Sequence, residues 1–192
     1  SEMCIRDRLN ALAGVITEYE GDIEGLYPES IAYLPQQSDI DRSFPLSVVD
    51  LVAMGLWREI GPFGWLAKEQ RSRIEAAISA VGLTGFESRV IGSLSGGQMQ
   101  LAIFARLLLQ DAPLVLLDEP FVSVDTRTVA DLIYLIEKWH GEGRTILAVL
   151  HDNDTVRAHF PDTLMLAREL VAHGPTNKAV SYTHLTLPTK RI

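Results

Sequence analysis

Two adjacent carboxylates follow an apolar run in the segment LVLLDEP, residues 114–120. The apolar run predicts a buried strand, and open α/β sheets bind their ligands beyond the carboxyl ends of such strands. Carboxylates placed there need a positive or polar neighbour, which a nucleotide-bound Mg²⁺ and an attacking water would both supply. Asp118 would then hold the Mg²⁺ and Glu119 would polarise the water. From these residues alone, an acidic turn after a strand is the alternative.

A serine and two glycines open a long predicted helix in the segment LSGGQMQ, residues 94–100. Ser95 is a favoured helix N-cap residue. Gly96 and Gly97 allow backbone N–H groups to approach an anion closely, and the helix N-terminus adds the positive end of its dipole. The segment therefore predicts either an anion-binding helix start or a plain N-cap with a flexible hinge.

Two further strands end in single polar residues that could take part in chemistry. YLPQ, residues 33–36, ends in Gln36, and VLHD, residues 149–152, contains His151. A single histidine after a strand is compatible with a structural role as well as with catalysis. Both residues become candidates because they follow predicted strands in the same way as the Asp118–Glu119 pair.

The elements that must position these residues alternate along the chain. Apolar runs predict strands at 31–34, 114–117 and 145–150, with short strands at 164–166 and 170–172. Helical spacing predicts helices at 47–57, 68–81, 95–110, 126–139 and 153–160. Apolar strands that alternate with helices predict an α/β fold, with a mostly parallel sheet covered on both faces. Residues 43–93 lack a strand pattern and predict an inserted helical subdomain.

Composition narrows the function classes. The 192 residues are 47% hydrophobic and 22% charged, which suits a single globular domain. No apolar run approaches the roughly 18 residues of a membrane span, so none is predicted. Cys4 is the only cysteine, which excludes an internal disulfide. The net charge of −8 disfavours a general binder of nucleic-acid phosphates, and no nucleic-acid partner is expected.

In order and spacing, these motifs resemble those of the ATP-binding cassette (ABC) ATPases. LSGGQ is similar to the signature motif, LVLLDEP to Walker B, VLHD to the switch-histidine loop and YLPQ to the Q-loop. FVSVD, residues 121–125, is similar to the D-loop, with Asp125 at its end. The resemblance covers about residues 9–179. It implies the P-loop NTPase-like core of an ABC ATPase with the helical subdomain inserted.

The resemblance also implies a role for each residue around ATP and its Mg²⁺. Glu119 is the expected catalytic base, and Asp118 and Gln36 are expected near the Mg²⁺. His151 is expected to contact the γ-phosphate.

In this family the signature residues act on the nucleotide of a second subunit. Ser95, Gly96, Gly97 and Gln98 would therefore close over ATP held by the other member of a head-to-tail pair, and Asp125 would join the nucleotide-binding set. Leu101 stands where the family usually carries Arg or Lys, which leaves the strength of subunit coupling open.

The helical stretch narrows the resemblance further. Residues 38–57 (SDIDRSFPLSVVDLVAMGLW) and 86–100 (FESRVIGSLSGGQMQ) are similar to ATPases of bacterial zinc and manganese importers. The resemblance implies a peripheral subunit on the cytoplasmic face of the membrane that couples ATP hydrolysis to a transmembrane permease. The transported ion would meet the permease and a metal-binding protein, never this subunit. Two groups of residues could suggest a metal site in this chain: Asp39, Asp41 and Asp50, and the acidic and histidine residues at 151–159. Neither group has regular metal-ligand spacing, so direct binding of the transported ion is not expected.

An ABC-type ATPase that acts without a permease, for example in DNA repair, is the alternative function. Such chains place a long coiled coil in the helical region, whereas no heptad pattern runs between Gln36 and Leu94. Apolar residues of the helical stretch are most simply core, although an exposed subset could line a permease groove. They are Val49, Val52, Leu56 and Trp57.

One family element is not found in the sequence. The phosphate loop G-x-x-x-x-G-K-[ST] does not occur in these 192 residues, although LNALAG, residues 9–14, is what usually follows it. We therefore expect a fragment that lacks Walker A and hydrolyses ATP negligibly. Residues 1–8 and 180–192 match no family element and are expected to be non-native, with the partial ATPase domain at 9–179.

Overall fold

The computed structural model describes residues 2–25, 27, 30–36, 41–61, 65–167 and 169–179. The chain divides into two compact units, Ser1–Tyr19 with Val149–Ile192 and Glu20–Ala148. The helices are α1 (Glu2–Leu12), α2 (Val48–Ala53), α3 (Trp57–Ile60), α4 (Lys68–Ala80), α5 (Gly96–Gln110), α6 (Thr126–Gly141), α7 (Asn153–His159) and α8 (Thr176–Ala179). The strands are β1 (Ile31–Leu34), β2 (Leu114–Asp118), β3 (Thr145–Val149), β4 (Asp162–Ala167) and β5 (Glu169–Pro175).

A three-stranded sheet with β2 at its centre organises the larger unit. β1 and β2 run parallel, with Ile31 opposite Leu114 and Leu34 opposite Leu117. β2 is buried along nearly its whole length because its side chains are apolar up to Asp118. The predicted α/β fold with a parallel sheet is therefore confirmed.

Helix α5 joins this sheet to the helical part of the chain. Its apolar side chains are buried over most of its circumference, as in a helix surrounded by neighbours. It contacts β1 on one side and α2 and α4 on others. Toward α6, the ring of Phe104 stacks on Trp139 with centroids 5.5 Å apart. The sheet and the helices of residues 48–80 thus share α5 as a common core element.

Local signals set most element boundaries, with differences at two helices. Ser47 caps α2 through a capping box with Asp50. The single helix predicted over 47–57 is divided, since a 3₁₀ turn at Met54–Leu56 separates α2 from α3. The first helix, α1, begins at Glu2, among the residues 1–8 that match no family element. Residues 2–8 contain no Gly or Pro, so the helix extends through them.

The smaller unit contains an antiparallel hairpin of β4 and β5, both longer than predicted. The buried hydroxyl of Thr176 lies 2.8 Å from the hydroxyl of Thr163 and donates to the carbonyl of Phe160 at 2.5 Å. These contacts satisfy a polar group that would be costly to bury alone. Among the described residues, none of the helices has the length and apolar character needed to cross a bilayer. The tail at 180–192 lies outside the described residues.

The 3₁₀ turn that divides the predicted helix lies very close to α5 at Gly55. A Cβ atom added there would lie 2.4 Å from the carbonyl oxygen of Arg106 and 2.9 Å from Cβ of Leu109. Both contacts are to α5, so the 3₁₀ turn approaches that helix more closely than any side chain would permit.

We predict that Gly55→Ala lowers the free energy of unfolding by about 1–3 kcal/mol, because overpacking forces α5 and the turn apart. Urea unfolding followed by circular dichroism measures this change. Gly141→Ala is the matched control, because a Cβ there meets nothing within 4 Å and alanine favours the helix. Equal unfolding midpoints for the two variants would contradict the close approach.

Candidate functional site

The ends of the two parallel strands bring Gln36 and Glu119 together. Each residue lies two positions beyond the paired residues Leu34 and Leu117, so the parallel register places them opposite one another. Nε2 of Gln36 donates a hydrogen bond of 2.8 Å to Oε2 of Glu119. Both side chains are half-buried. The edge of the sheet therefore holds a fixed carboxylate at the position where α/β proteins bind ligands.

The backbone of Glu119 adopts an unusual conformation. Its φ angle is +50°, in the left-handed region that non-glycine residues rarely occupy. Such a conformation costs on the order of 1–3 kcal/mol and is found preferentially at functional sites. The residue that follows is Pro120, which further restricts the backbone before it. The unusual conformation thus begins directly after β2, at the residue that carries the candidate carboxylate.

Asp118 ends β2 and is 1% exposed. A carboxylate at that depth keeps its charge only beside a cation or hydrogen-bond donors. Its oxygens and the amide oxygen of Gln36 are hard oxygen donors, which is the type that Mg²⁺ prefers. The residues present thus fit a Mg²⁺ ion at this edge of the sheet.

The signature segment forms a capped helix start, which confirms the prediction that Ser95 is an N-cap. The Ser95 hydroxyl accepts the backbone N–H of Gln98 at 3.2 Å, and the Gln98 side chain accepts the backbone N–H of Ser95 at 3.1 Å. This capping box starts a 15-residue helix whose first two residues are Gly96 and Gly97. That geometry suits an anion.

Gly97 also makes a contact that the sequence did not predict. A Cβ atom at this position would lie 3.1 Å from Oδ2 of Asp125 and 3.1 Å from Oγ1 of Thr128. Asp125 is the N-cap of α6, and its two carboxylate oxygens accept the backbone N–H (3.1 Å) and the hydroxyl (2.7 Å) of Thr128. The signature motif and the D-loop-like segment are therefore packed directly against each other within one chain.

His151 lies in the smaller unit, between the end of β3 and Asp152. Its side chain is exposed. Asp152 caps α7 by accepting the backbone N–H groups of Asp154 (3.1 Å) and Thr155 (3.2 Å). The hydrogen bond from the Thr155 hydroxyl, followed by those from the backbone, lowers the pKa of Asp152. The cap fixes the start of α7 directly after His151.

The carboxylates of Asp41 and Asp50, which were candidates for metal ligands, have local structural partners. Oδ1 of Asp41 accepts the backbone N–H (2.9 Å) and hydroxyl (2.6 Å) of Ser43. Asp50 belongs to the capping box of α2, and Asp39 lies outside the described residues. Within the described ranges, no group of three or more His, Cys, Asp or Glu side chains is arranged to hold a metal ion.

Sequence reasoning missed the hydrogen bond between Gln36 and Glu119 and the contact of Gly97 with Asp125. The first could have been found by aligning the two predicted strands in parallel register, because both polar residues follow their strands at the same distance. The second carries no sequence signal, because it depends on how α5 and α6 approach each other.

The capped carboxylate of Asp125 yields a test of this packing. The hydrogen bond from the Thr128 hydroxyl, and then that from the Thr128 backbone, lowers the pKa of Asp125. These hydrogen bonds therefore stabilise the folded state fully at pH values above the ordinary pKa range of aspartate. That stabilisation is lost as the pH falls through the lowered pKa.

We predict that Thr128→Val raises the pKa of Asp125 toward its ordinary range, because valine keeps the shape and removes the hydroxyl donor. Carboxyl-carbon NMR titration measures the shift. Thr126→Val is the matched control, since Thr126 makes no hydrogen bond to Asp125 among the contacts described here. An Asp125 pKa that is equal in wild type and Thr128→Val would refute the assignment.

Comparisons with known proteins agree with this geometry. Residues 8–122 match the family model described as "ABC transporter". The manganese transport system ATP-binding protein MntB of Listeria monocytogenes is 36% identical over 88% of this chain and 73% of its own length. The zinc transport system ATP-binding protein TroB of Treponema pallidum is 41% identical over 75% of this chain and 54% of its own length.

A solved structure of a metal-chelate type ABC transporter in an inward-facing conformation superposes with a TM-score of 0.80. It is 28% identical, and the match covers 91% of this chain and 68% of the solved chain. The family model covers more than half of the sequence and includes the strand ends that carry Gln36 and Glu119 as well as the signature helix. This chain belongs to the ABC transporter family.

Proposed function

We propose that this chain is the ATP-hydrolysing subunit of a bacterial ABC transporter for manganese or zinc ions. The observation that carries the proposal is the hydrogen bond from Gln36 to Glu119, made at the ends of adjacent parallel strands beside the buried carboxylate of Asp118. This arrangement supports the proposal that Glu119 is the base and that Asp118 and Gln36 serve the Mg²⁺ at one edge of the sheet.

Each residue at this edge has a distinct task in the proposed reaction. Glu119 accepts a proton from the attacking water as the water oxygen bonds to the γ-phosphorus, and the bond to the β–γ bridging oxygen breaks, so that ADP and phosphate leave. The hydrogen bond from Gln36 holds the Glu119 carboxylate in position. Asp118 and the amide oxygen of Gln36 would hold Mg²⁺, which neutralises phosphate charge when bound. His151 would contact the γ-phosphate.

The signature helix is proposed to act on the nucleotide of a second subunit. Ser95, Gly96, Gly97 and Gln98 form a capped helix start whose backbone N–H groups suit a phosphate. Asp125 contacts the same helix start and would enter the nucleotide-binding set through it. Two chains arranged head to tail would thereby complete two ATP sites.

The assignment to metal-ion transport rests on relatives whose names specify manganese and zinc transport. In that role the subunit lies on the cytoplasmic face of the membrane, beside a permease that receives its ion from a metal-binding protein. A role without a permease, for example in DNA repair, has no comparable support. The net charge of −8 also opposes tight binding to nucleic acid.

The helical stretch offers a surface for the permease. Val52 and Leu56 are buried core residues, at 0% and 2% exposure. Trp57, in contrast, is 58% exposed, and nearby in sequence Phe44 and Met54 are 62% and 46% exposed. Exposed aromatic and methionine side chains are enriched at protein interfaces. We propose that these three residues belong to the permease-binding surface.

The 192-residue polypeptide itself is proposed to hydrolyse ATP negligibly. Its sequence contains no G-x-x-x-x-G-K-[ST] segment to cradle the phosphates. A chimera that adds a strand and a G-x-x-x-x-G-K-[ST] loop ahead of Leu9 should supply this cradle.

We predict that purified 192-residue chain turns over Mg-ATP no faster than its Glu119→Gln variant. The chimera should hydrolyse ATP, and Glu119→Gln in the chimera should reduce the rate on the order of a hundredfold or more, because the proton acceptor is lost. A phosphate-release assay measures both.

Glu75→Gln in the chimera is the control, since Glu75 is exposed on α4 and should leave the rate unchanged. Full activity of the chimera carrying Glu119→Gln would remove Glu119 from the proposed mechanism. Sustained Glu119-dependent turnover by the 192-residue chain would instead contradict its inactivity.

We predict that Trp57→Ala weakens co-purification with the permease of a related manganese system on the order of tenfold, because exposed tryptophans are frequent interface anchors. Pull-down from detergent-solubilised membranes measures the recovered fraction. Tyr134→Ala is the control, since Tyr134 is 67% exposed on α6. Equal recovery of both variants would exclude the Trp57 surface.

A further inference from the structure

The segment before the signature motif lies against the segment that follows the Q-loop-like residues. Residues 87–91 run antiparallel to residues 46–49, with a bridge between Ser47 and Val90. The backbone N–H of Ile91 donates to Leu46 at 2.8 Å, that of Val48 to Arg89 at 2.9 Å and that of Val49 to Glu87 at 3.0 Å. These contacts, around a single β-bridge, fix the path of the chain toward Ser95.

Arg42 adds a side-chain contact next to the signature motif itself. Its Nη2 atom donates to the carbonyl oxygen of Leu94 and, at 3.5 Å, to that of Ile91. Leu94 and Ile91 are buried at 4% and 2% exposure. Leu94 directly precedes Ser95, the N-cap of α5. A guanidinium thus holds the last carbonyl before the signature serine through a charge-assisted hydrogen bond.

Two neighbouring features fix Arg42 in place. A Cβ atom at Gly92 would lie 2.8 Å from the carbonyl oxygen of Arg42, so the two segments touch at a position where only glycine fits without a shift. The Asp41 carboxylate accepts both the N–H and the hydroxyl of Ser43, which defines the turn that contains Arg42. The backbone and the side chain of Arg42 therefore both contact residues 91–94.

We infer that Arg42 is a positioning residue that sets the signature helix start relative to the segment following Gln36. Arg42 lies six residues after Gln36, whose amide is bonded to Glu119. Arg42 thereby joins the turn at residues 41–43 directly to the residue before Ser95. This inference rests on the proposed function, in which Ser95 closes over the nucleotide of a second subunit.

Hydrogen–deuterium exchange of the full 192-residue chain tests the clamp without nucleotide. Arg42→Gln should accelerate exchange about tenfold in the peptide covering residues 91–99, because a charge-assisted bond to the Leu94 carbonyl is lost. The backbone N–H groups of Ser95, Gln98 and Met99 report the signature cap directly. Arg42→Lys keeps the charge but not the fork of donors, so its exchange should be intermediate.

Arg71→Gln is the matched control, because Arg71 is exposed on α4 and its loss changes the net charge equally. Unchanged exchange at 91–99 in Arg42→Gln would overturn the inference, as would equal acceleration in a peptide of α6. If Arg42→Gln does not fold, Arg42→Lys decides alone, since local acceleration supports the clamp and wild-type exchange overturns it. A failed clamp leaves the Glu119 turnover test untouched, and a failed turnover test leaves the exchange result standing.

Discussion

The parallel pairing of β1 with β2 is the constraint on which the candidate site depends. It places Leu34 opposite Leu117 and so sets Gln36 against Glu119 just beyond the strands. The positions of these two polar residues follow from the strand register. The burial of apolar residues in both strands supplies the free energy that holds the register. The same free energy offsets the cost of the strained backbone at Glu119.

Helix α5 connects the sheet to the other helices of the larger unit. Its first turn carries the signature residues, and the helix also contacts β1, α2 and α4. Arg42 contacts the carbonyl of Leu94, directly before this first turn. The start of α5 is thus held by Arg42 before Ser95 and by the start of α6 at Gly97.

The features that the sequence predicted correctly have local causes. The strand at Ile31–Leu34 and the cap at Ser95 follow from apolar runs and capping chemistry within a few residues. The close approach of Gly55 to the carbonyl of Arg106 could not be predicted in the same way, because the two residues are distant in sequence. The same holds for the contact between Gly97 and Asp125, whereas the Gln36 pairing required only the strand register.

Gly97 packs against Asp125 and Thr128, so a side chain at position 97 would compete with the side chain at position 128 for the same space. A side chain at position 97 would need a smaller residue at position 128 to occupy the space that Thr128 fills now. Substitutions at the two positions should therefore be tolerated as a pair more readily than singly, as a non-additive coupling of neighbours. The signature glycine is in this sense constrained by its own chain, independently of any nucleotide that a second subunit brings to it.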